Sequence, residues 1–549
     1  MATDQYDVIV VGAGPNGLTC AAYLARAGAD VVVLDKRFEP GGTFTTDDYS
    51  TPFLYNIAQN TLPVGAGSPP YEDLGLAELG VRFIESATAA AFAPVGGGDP
   101  LVVQRGGHGL GELAETAEAA EHTVVPLLYS PPTPLSQVEQ ELSRGEGKRV
   151  LDLAVLTPAA LVDTVSDSRA GGLLRYLCAM VGFTAPDQPL GVLGAFAVLR
   201  QLQPVLVVGG TKSLAHGLFR AGASAGAQFR PVADVTTIEL TEGGVRLDCR
   251  DGREFAARAV VSTLDPITTF GELLSEAGVP EPIRDAVRDW RCDATGPFTA
   301  HFGIKGEPPR LATDEASSAV LQVLGFEDAA SVAEGLDTVG GGQLTADPCG
   351  HLTVTTRHDP HQAAPGPFGP LHTLRFETLA PCVLPEGHWD RARAEHRARC
   401  YDALVRRTRG LSDARLLFSF ADSPEDLERR FRTARNGSIR QGSLVAEQTF
   451  TRRPHEQVSG ARTPIPGVYL GGGGVHPGIP GSLAGGYHAA AAVCEDLGLT
   501  RWWPTPAVVE RARELGTVPE SLLPARRVAV PGVPTQRRPR APARGAGVS

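Results

Sequence analysis

The stretch that most constrains this chain lies at its N-terminus, where YDVIVV (6–11) runs straight into GAGPNG (12–17). Such a compact, largely β-branched run is the pattern of a strand buried on both faces. Gly12, Gly14 and Gly17 follow at G-x-G-x-x-G spacing, and LTCAAYLARAG (18–28) carries apolar residues every three or four positions. A second strand, ADVVVLD (29–35), then ends in Asp35. Each part has a mechanical reason. Gly12 permits the tight turn, Gly14 lets backbone approach a pyrophosphate, Gly17 lets helix and strand pack closely, and Asp35 accepts from ribose hydroxyls. Pro15 and Asn16 open a helix whose N-terminal N–H groups and dipole favour phosphate. The order predicts an α/β fold with a Rossmann-type unit that binds a dinucleotide.

The residues after Asp35 separate a flavin from a nicotinamide. DKRFEPGGTFTT (35–46) places Lys36, Gly41, Gly42 and Thr43 behind the ribose acid, and this resembles the second glycine pair of FAD-dependent oxidoreductases. Five further segments carry a longer resemblance, one of them DPHQAAPGP (359–367) with His372 and Thr373, which is similar to an Asp-Pro…Ala-Pro-Gly segment. GGTKSLAHGLFRAGASAGAQFRPVADVTTI (209–238) is similar to a glycine pair, helix and returning strand, AARAVVSTLDP (256–266) to a strand re-entering the cofactor domain, and SPEDLERRF with NGSIRQGSLVAEQTFTRRP (423–454) to the segment before its last strand. GVYLGGGGVHPGIPGSLAGGYHAAA (467–491) is similar to that last strand, its glycine turn and its helix. On these residues the chain resembles the phytoene-desaturase-like flavoproteins, in the branch related to pyridine-nucleotide-disulfide-oxidoreductase-domain-containing proteins.

The resemblance implies FAD as cofactor, with Val235 touching adenine through its backbone and Gly472, Gly473, Gly474, Ile479, Pro480 and Gly481 under the ribityl chain and the pyrimidine end. A helix N-terminus there suits the negative charge of a reduced flavin. It further implies an oxidoreductase that dehydrogenates a C–C or C–N bond of a small-molecule, polyene or peptidyl substrate by hydride transfer to flavin N5. A flavin-dependent monooxygenase or amine oxidase is an open alternative, and so is a non-catalytic escort module of the same fold. Three positions depart from the family pattern: Gly473 replaces an acid, Ile479 and Pro480 replace further glycines, and Gln441 stands where a histidine is expected.

The expected architecture is a discontinuous Rossmann-type FAD-binding domain of the glutathione-reductase and amine-oxidase type (1–85, 205–270 and 455–505) with an α+β substrate domain (86–204 and 271–454). TPAALVDTV (157–165) and AGGLLRYLCAMVGF (170–183) have helical spacing, while HLTVTTRHD (351–359) and LHTLRFETLAP (371–381) alternate as strands with one polar face. Residues 506–549 read as a short helix, PAVVERARELG, and a Pro/Arg-rich tail unable to build a core, for which contact with an anionic lipid surface is the minor reading. Trp502 and Trp503 read as buried packing residues. A net charge of −12 argues against nucleic acid as a partner, and no clean apolar run spans a bilayer. The eight scattered cysteines and an N-terminus that turns directly into the fold predict a cytoplasmic location.

Candidate catalytic residues are His476, inside the glycine turn, and His372, read with Arg375 and Glu377 as lying on one strand face where a near-neutral imidazole suits a general base. His358 and His361 flank Asp359 in a proline turn, and no metal site is expected.

Overall fold

A computed structural model describes residues 4–365, 369–385, 387–458 and 460–530. The glycine fingerprint lies where the sequence puts it. Strand Asp4–Val11 ends at Gly12, helix Pro15–Arg26 follows, and strand Val31–Leu34 returns parallel to the first. These strands join a seven-stranded sheet in the order 235–241, 244–249, 254–262, 4–11, 31–34, 228–230, with 468–470 parallel to the far end of 254–262. Val8, Ile9, Val10, Val31 and Val32 are fully buried, as continuous apolar runs in a sheet covered on both faces must be.

Helix Ala484–Asp496 packs on helix Pro15–Arg26, and small residues make the approach. A Cβ on Gly486 would lie 2.1 Å from the Asn16 carbonyl oxygen, and one on Gly485 would lie 2.5 Å from that of Gly472. The glycines beside the alanine run therefore let this helix sit close to both glycine turns at once.

A second seven-stranded sheet runs 415–422, 295–305, 371–381, 350–354, 321–324, 88–93, 101–104. One face packs on helix Trp389–Arg407, and Phe298, Ala300, Phe302, Ile304, Leu374 and Phe376 fill that contact. The opposite face carries Thr299, His301, Thr373, Arg375 and Glu377, since successive side chains alternate. Helices Pro158–Val162, Ser168–Met180 and Gly191–Arg200 belong to the cap beside this sheet.

The strand expected over 351–359 stops at Val354, and Thr355–His358 make one helical turn. Asp359 then caps the next turn by accepting from His361 N (3.1 Å), and it also accepts from Gly209 N (2.7 Å), so the carboxylate ties the turn to a glycine pair. Trp502 and Trp503 are buried, with Trp502 Nε1 donating to the Tyr23 carbonyl (3.1 Å). The short helix forms over Ala507–Leu515. Arg526 and Arg527 pair with Glu510 and Glu495, while Arg537, Arg538, Arg540 and Arg544 lie outside the described residues. Among the described residues no helix is long and apolar enough to cross a membrane.

Candidate functional site

An elongated cavity of about 1000 Å³ follows the carboxyl ends of the parallel strands. Gly12, Gly14, Pro15 and Asn16 line its middle, Asp35, Lys36 and Val235 one end, Gly42 and Thr43 one side, and Gly473, Ile479, Pro480 and Gly481 the other end. The two glycine loops meet across it, for a Cβ on Gly42 would sit 2.8 Å from Gly14 Cα. At Gly14 the nearest protein atom to a Cβ is 4.0 Å away, so that position opens onto the cavity. This shape is a cradle for an extended ligand whose charged centre touches backbone and a helix N-terminus.

Electrostatics agree. Asp35 accepts from Ala13 N (2.6 Å) and Arg37 N (2.7 Å), which fixes the carboxylate at the strand end, although burial raises its pKa. Around it stand Arg37, Arg430 and Arg432, cationic side chains not assigned from sequence. Arg430 is anchored by Asp47, and Arg432 by Glu272 (2.9 Å) and the Val235 carbonyl (3.1 Å). These residues fit FAD: Asp35 and Val235 would hold the adenosine half, the glycine loops with their flanking arginines the diphosphate, and Gly473 to Gly481 the flavin half.

Gly17, Gly41, Gly472 and Gly474 serve the cradle from behind and do not line it. A Cβ on Gly17 would clash with the Gly12 carbonyl at 1.9 Å, one on Gly472 with that of Thr263 at 2.4 Å, and one on Gly474 with Pro266 at 2.4 Å. Gly41 has φ +129° and donates its N–H to the Ala13 carbonyl (2.8 Å), tying the second glycine pair to the first. Gln441, the departure from the expected histidine, donates from Nε2 to the Thr263 carbonyl (3.1 Å) and accepts from Gly474 N (3.0 Å). It thereby staples the last glycine turn to the strand beside it. Arg453 is fully buried and donates to the carbonyls of Gly473, Ser443, Gln448, Arg440 and Gly442 at 2.9 to 3.1 Å.

A second chamber of about 910 Å³ opens between the second sheet and the helical cap. It shares Ile439, Ile479 and Pro480 with the first cavity, so the two meet at the flavin end. Its walls combine apolar side chains such as Leu62, Met180, Leu321 and Leu444 with the polar Gln59, Asn60, Thr61 and Gln201, and Arg375 and Glu377 are paired among them. His351 also lines it. Its Nδ1 is 2.9 Å from the Tyr176 hydroxyl, and burial pushes its pKa down to about 4, so the ring is neutral.

The two histidines taken from sequence as catalytic candidates are corrected by their placement, because neither lines either cavity. His476 is buried with Nε2 3.0 Å from the Leu127 carbonyl oxygen and its ring beside Phe450 and His488. Burial pushes its pKa down to about 3, which leaves it a neutral strut between turn and cap. His372 is an odd number of residues from Arg375 and Glu377 and so lies on the other strand face, opposite Ile304, with Nδ1 3.0 Å from Thr356 Oγ1.

Fold and site together define a flavin-dependent oxidoreductase of the two-domain type. The chain belongs to the flavin containing amine oxidoreductases, whose family model matches residues 190–497, and residues 10–69 match the NAD(P)-binding Rossmann-like domain. It is an enzyme that uses FAD. A limonene dehydrogenase polypeptide of Castellaniella defragrans is 30% identical over 93% of this chain and 98% of its own length. Pyridine nucleotide-disulfide oxidoreductase domain-containing protein 2 of Mus musculus is 25% identical over 90% of this chain and 94% of its own. Among solved structures, cyclohexylamine oxidase from Brevibacterium oxydans IH-35A superposes with a TM-score of 0.56 at 17% identity, covering 90% of this chain and 99% of that one, which is a likeness of fold.

Proposed function

We propose that this enzyme desaturates a C–C bond of a small apolar molecule bound in the second chamber, in preference to oxidising an amine. One observation carries this reading: among the described residues the chamber that meets the flavin end has three arginines, no carboxylate left unpaired and no aromatic ring to hold an ammonium group. Its carboxylate, Glu377, is already paired with Arg375, and no described Phe, Tyr or Trp ring lines it. The relative named for limonene, a hydrocarbon, supports the same class.

FAD, when bound, supplies the acceptor for the hydride that leaves the substrate carbon. The chain's own part is placement. Ile439, Ile479 and Pro480 form the shared wall against which a C–H bond would be aligned. Polyenes and peptidyl substrates remain within the class, since three arginines against one carboxylate select against cations and the apolar part of the wall takes hydrocarbon surface.

Anaerobic titration of the FAD-loaded protein with a panel of terpenoid hydrocarbons, polyenes, dehydropeptide precursors and alkylamines tests the reading. The expected outcome is bleaching of the flavin bands by at least one uncharged or acidic hydrocarbon and none by the amines. Bleaching by amines alone would overturn it and establish an amine oxidase.

A further inference from the structure

The charges lining the second chamber do not balance within it. Arg200, Arg375 and Arg440 line it against one carboxylate, Glu377, and the neutral His351 adds nothing. Arg440 has a partner at each guanidinium nitrogen, with Nε and Nη2 on Asp293 (2.9 and 2.6 Å) and Nη1 on the Met180 carbonyl (3.3 Å). The other two guanidiniums do not.

Arg200, 8% exposed, stands in the wall between this chamber and a neighbouring polar cavity. Its Nη1 is held by Glu121 and Gln203, and both of these line the neighbouring cavity and not the chamber. Among the described residues no hydrogen bond reaches its Nε or Nη2, and Nε is a buried donor without an acceptor. Nε is enclosed, so Nη2 is the donor left for a carboxylate. Arg375, 3% exposed, gives Nη2 to Glu377 and to the Ala58 carbonyl (3.2 Å). Its Nε is likewise buried without an acceptor, and no hydrogen bond among the described residues reaches Nη1. Nη2 of Arg200 and Nη1 of Arg375 are thus two cationic donors without a protein acceptor on residues that line one chamber, and they point to an acceptor brought by the ligand.

Resting on the reading of this chamber as the substrate chamber, we propose that the substrate carries a carboxylate held between Arg200 and Arg375, its apolar body reaching toward Ile439, Ile479 and Pro480. The substrate class is then an apolar acid: a terpenoid or fatty acid, or an acyl chain ending in a free carboxyl group. Binding is a charge-assisted hydrogen-bonding step, with no bond made or broken at the carboxylate.

The test compares three probes of one chain length, octanoate, octan-1-ol and octylamine, by calorimetry on the FAD-loaded protein. Octanoate is expected to bind at least tenfold more tightly than octanol, with octylamine weakest. Arg200→Gln is expected to reduce octanoate affinity tenfold or more while leaving octanol affinity unchanged. Arg375→Gln alone strands Glu377, so the double variant Arg375→Gln/Glu377→Gln, uncharged at both positions, is the partner test and should lose the octanoate preference too. Equal affinity for octanoate and octanol, octanoate binding that survives Arg200→Gln, or no binding of any probe would each overturn the carboxylate site. The desaturase reading fails separately, when amines alone bleach the flavin.

Discussion

At Gly14 a side chain would meet no protein atom nearer than 4.0 Å, whereas at Gly17, three positions on, it would meet the Gly12 carbonyl oxygen at 1.9 Å. The same motif therefore contains one glycine that the ligand needs and one that the fold needs. Gly14→Val is expected to leave the thermal midpoint of the flavin-free protein within a few degrees while lowering FAD affinity at least a hundredfold, read by flavin retention through gel filtration. Gly17→Ala is expected to yield little soluble protein. A yellow Gly14→Val protein would place the cofactor elsewhere. Histidines make a second residue-scale prediction. Burial holds His351, His488 and His396 near pKa 4 and His476 near 3, so each stays neutral in the folded chain. Unfolded, a free imidazole takes up its proton near pH 6.5, so the unfolded chain binds protons first as pH falls. Stability present above about pH 6.5 is thus lost toward pH 4, by about 1.4 kcal/mol per pH unit for each such ring. Urea titrations from pH 7.5 to 5 should show the midpoint falling steadily, and His476→Gln should make that slope shallower.

Among the elements, the loop from Arg440 to Arg453 and the glycine turn at Gly473 are held together by one side chain. Arg453 supplies five hydrogen bonds to five backbone carbonyls, with the Trp290 ring 5.3 Å from its guanidinium carbon. Lysine offers at most three donors from a single point, so Arg453→Lys leaves carbonyls unsatisfied in a dry site. A loss of about 3 kcal/mol or more is expected in chemical denaturation, together with weaker FAD binding, because the turn that Arg453 anchors lines the cofactor cavity. Unchanged stability would mean that the loop holds itself. This device was not legible in the sequence, because carbonyl acceptors carry no residue signature and the arginine stands in an irregular segment. The glycine fingerprint was legible for the opposite reason: its tight turn and close helix approach demand a residue with no Cβ. Strand parity was legible but misapplied at His372, where an odd separation from Arg375 and Glu377 already placed it on the far face. Arg430 and Arg432 stand in or beside a segment with family resemblance, yet only the fold brings them to Asp35 from nearly four hundred residues away.

At the scale of the whole molecule, the cofactor cavity is walled by short pieces of distant chain: 11–16, 34–43, 233–235, 263–264, 430–441 and 473–481. The first sheet supplies the strand ends, and the segment after strand 415–422 of the second sheet supplies Arg430 to Gln441. A ligand lying along that cavity touches the strand ends of the first sheet and the segment that follows the second, so its binding free energy adds to the cohesion of the two halves. Free FAD at about a hundred times its dissociation constant should stabilise the protein by about 2.7 kcal/mol, seen as a thermal midpoint that climbs with the logarithm of added FAD. Stripping the flavin should act locally as well. The 430–441 segment, with only one short 3-10 turn (435–437) beyond its first residue and anchored partly through side chains that face the cavity, should become the first site of limited proteolysis and of fast amide exchange. The helix Pro15–Arg26, buried along most of its length against helix Ala484–Asp496, should keep its protection in both states. If flavin-free and flavin-loaded protein were cut at the same place and the same rate, the ligand would not be bridging the two halves, and the assignment of this cavity to FAD would fall with it.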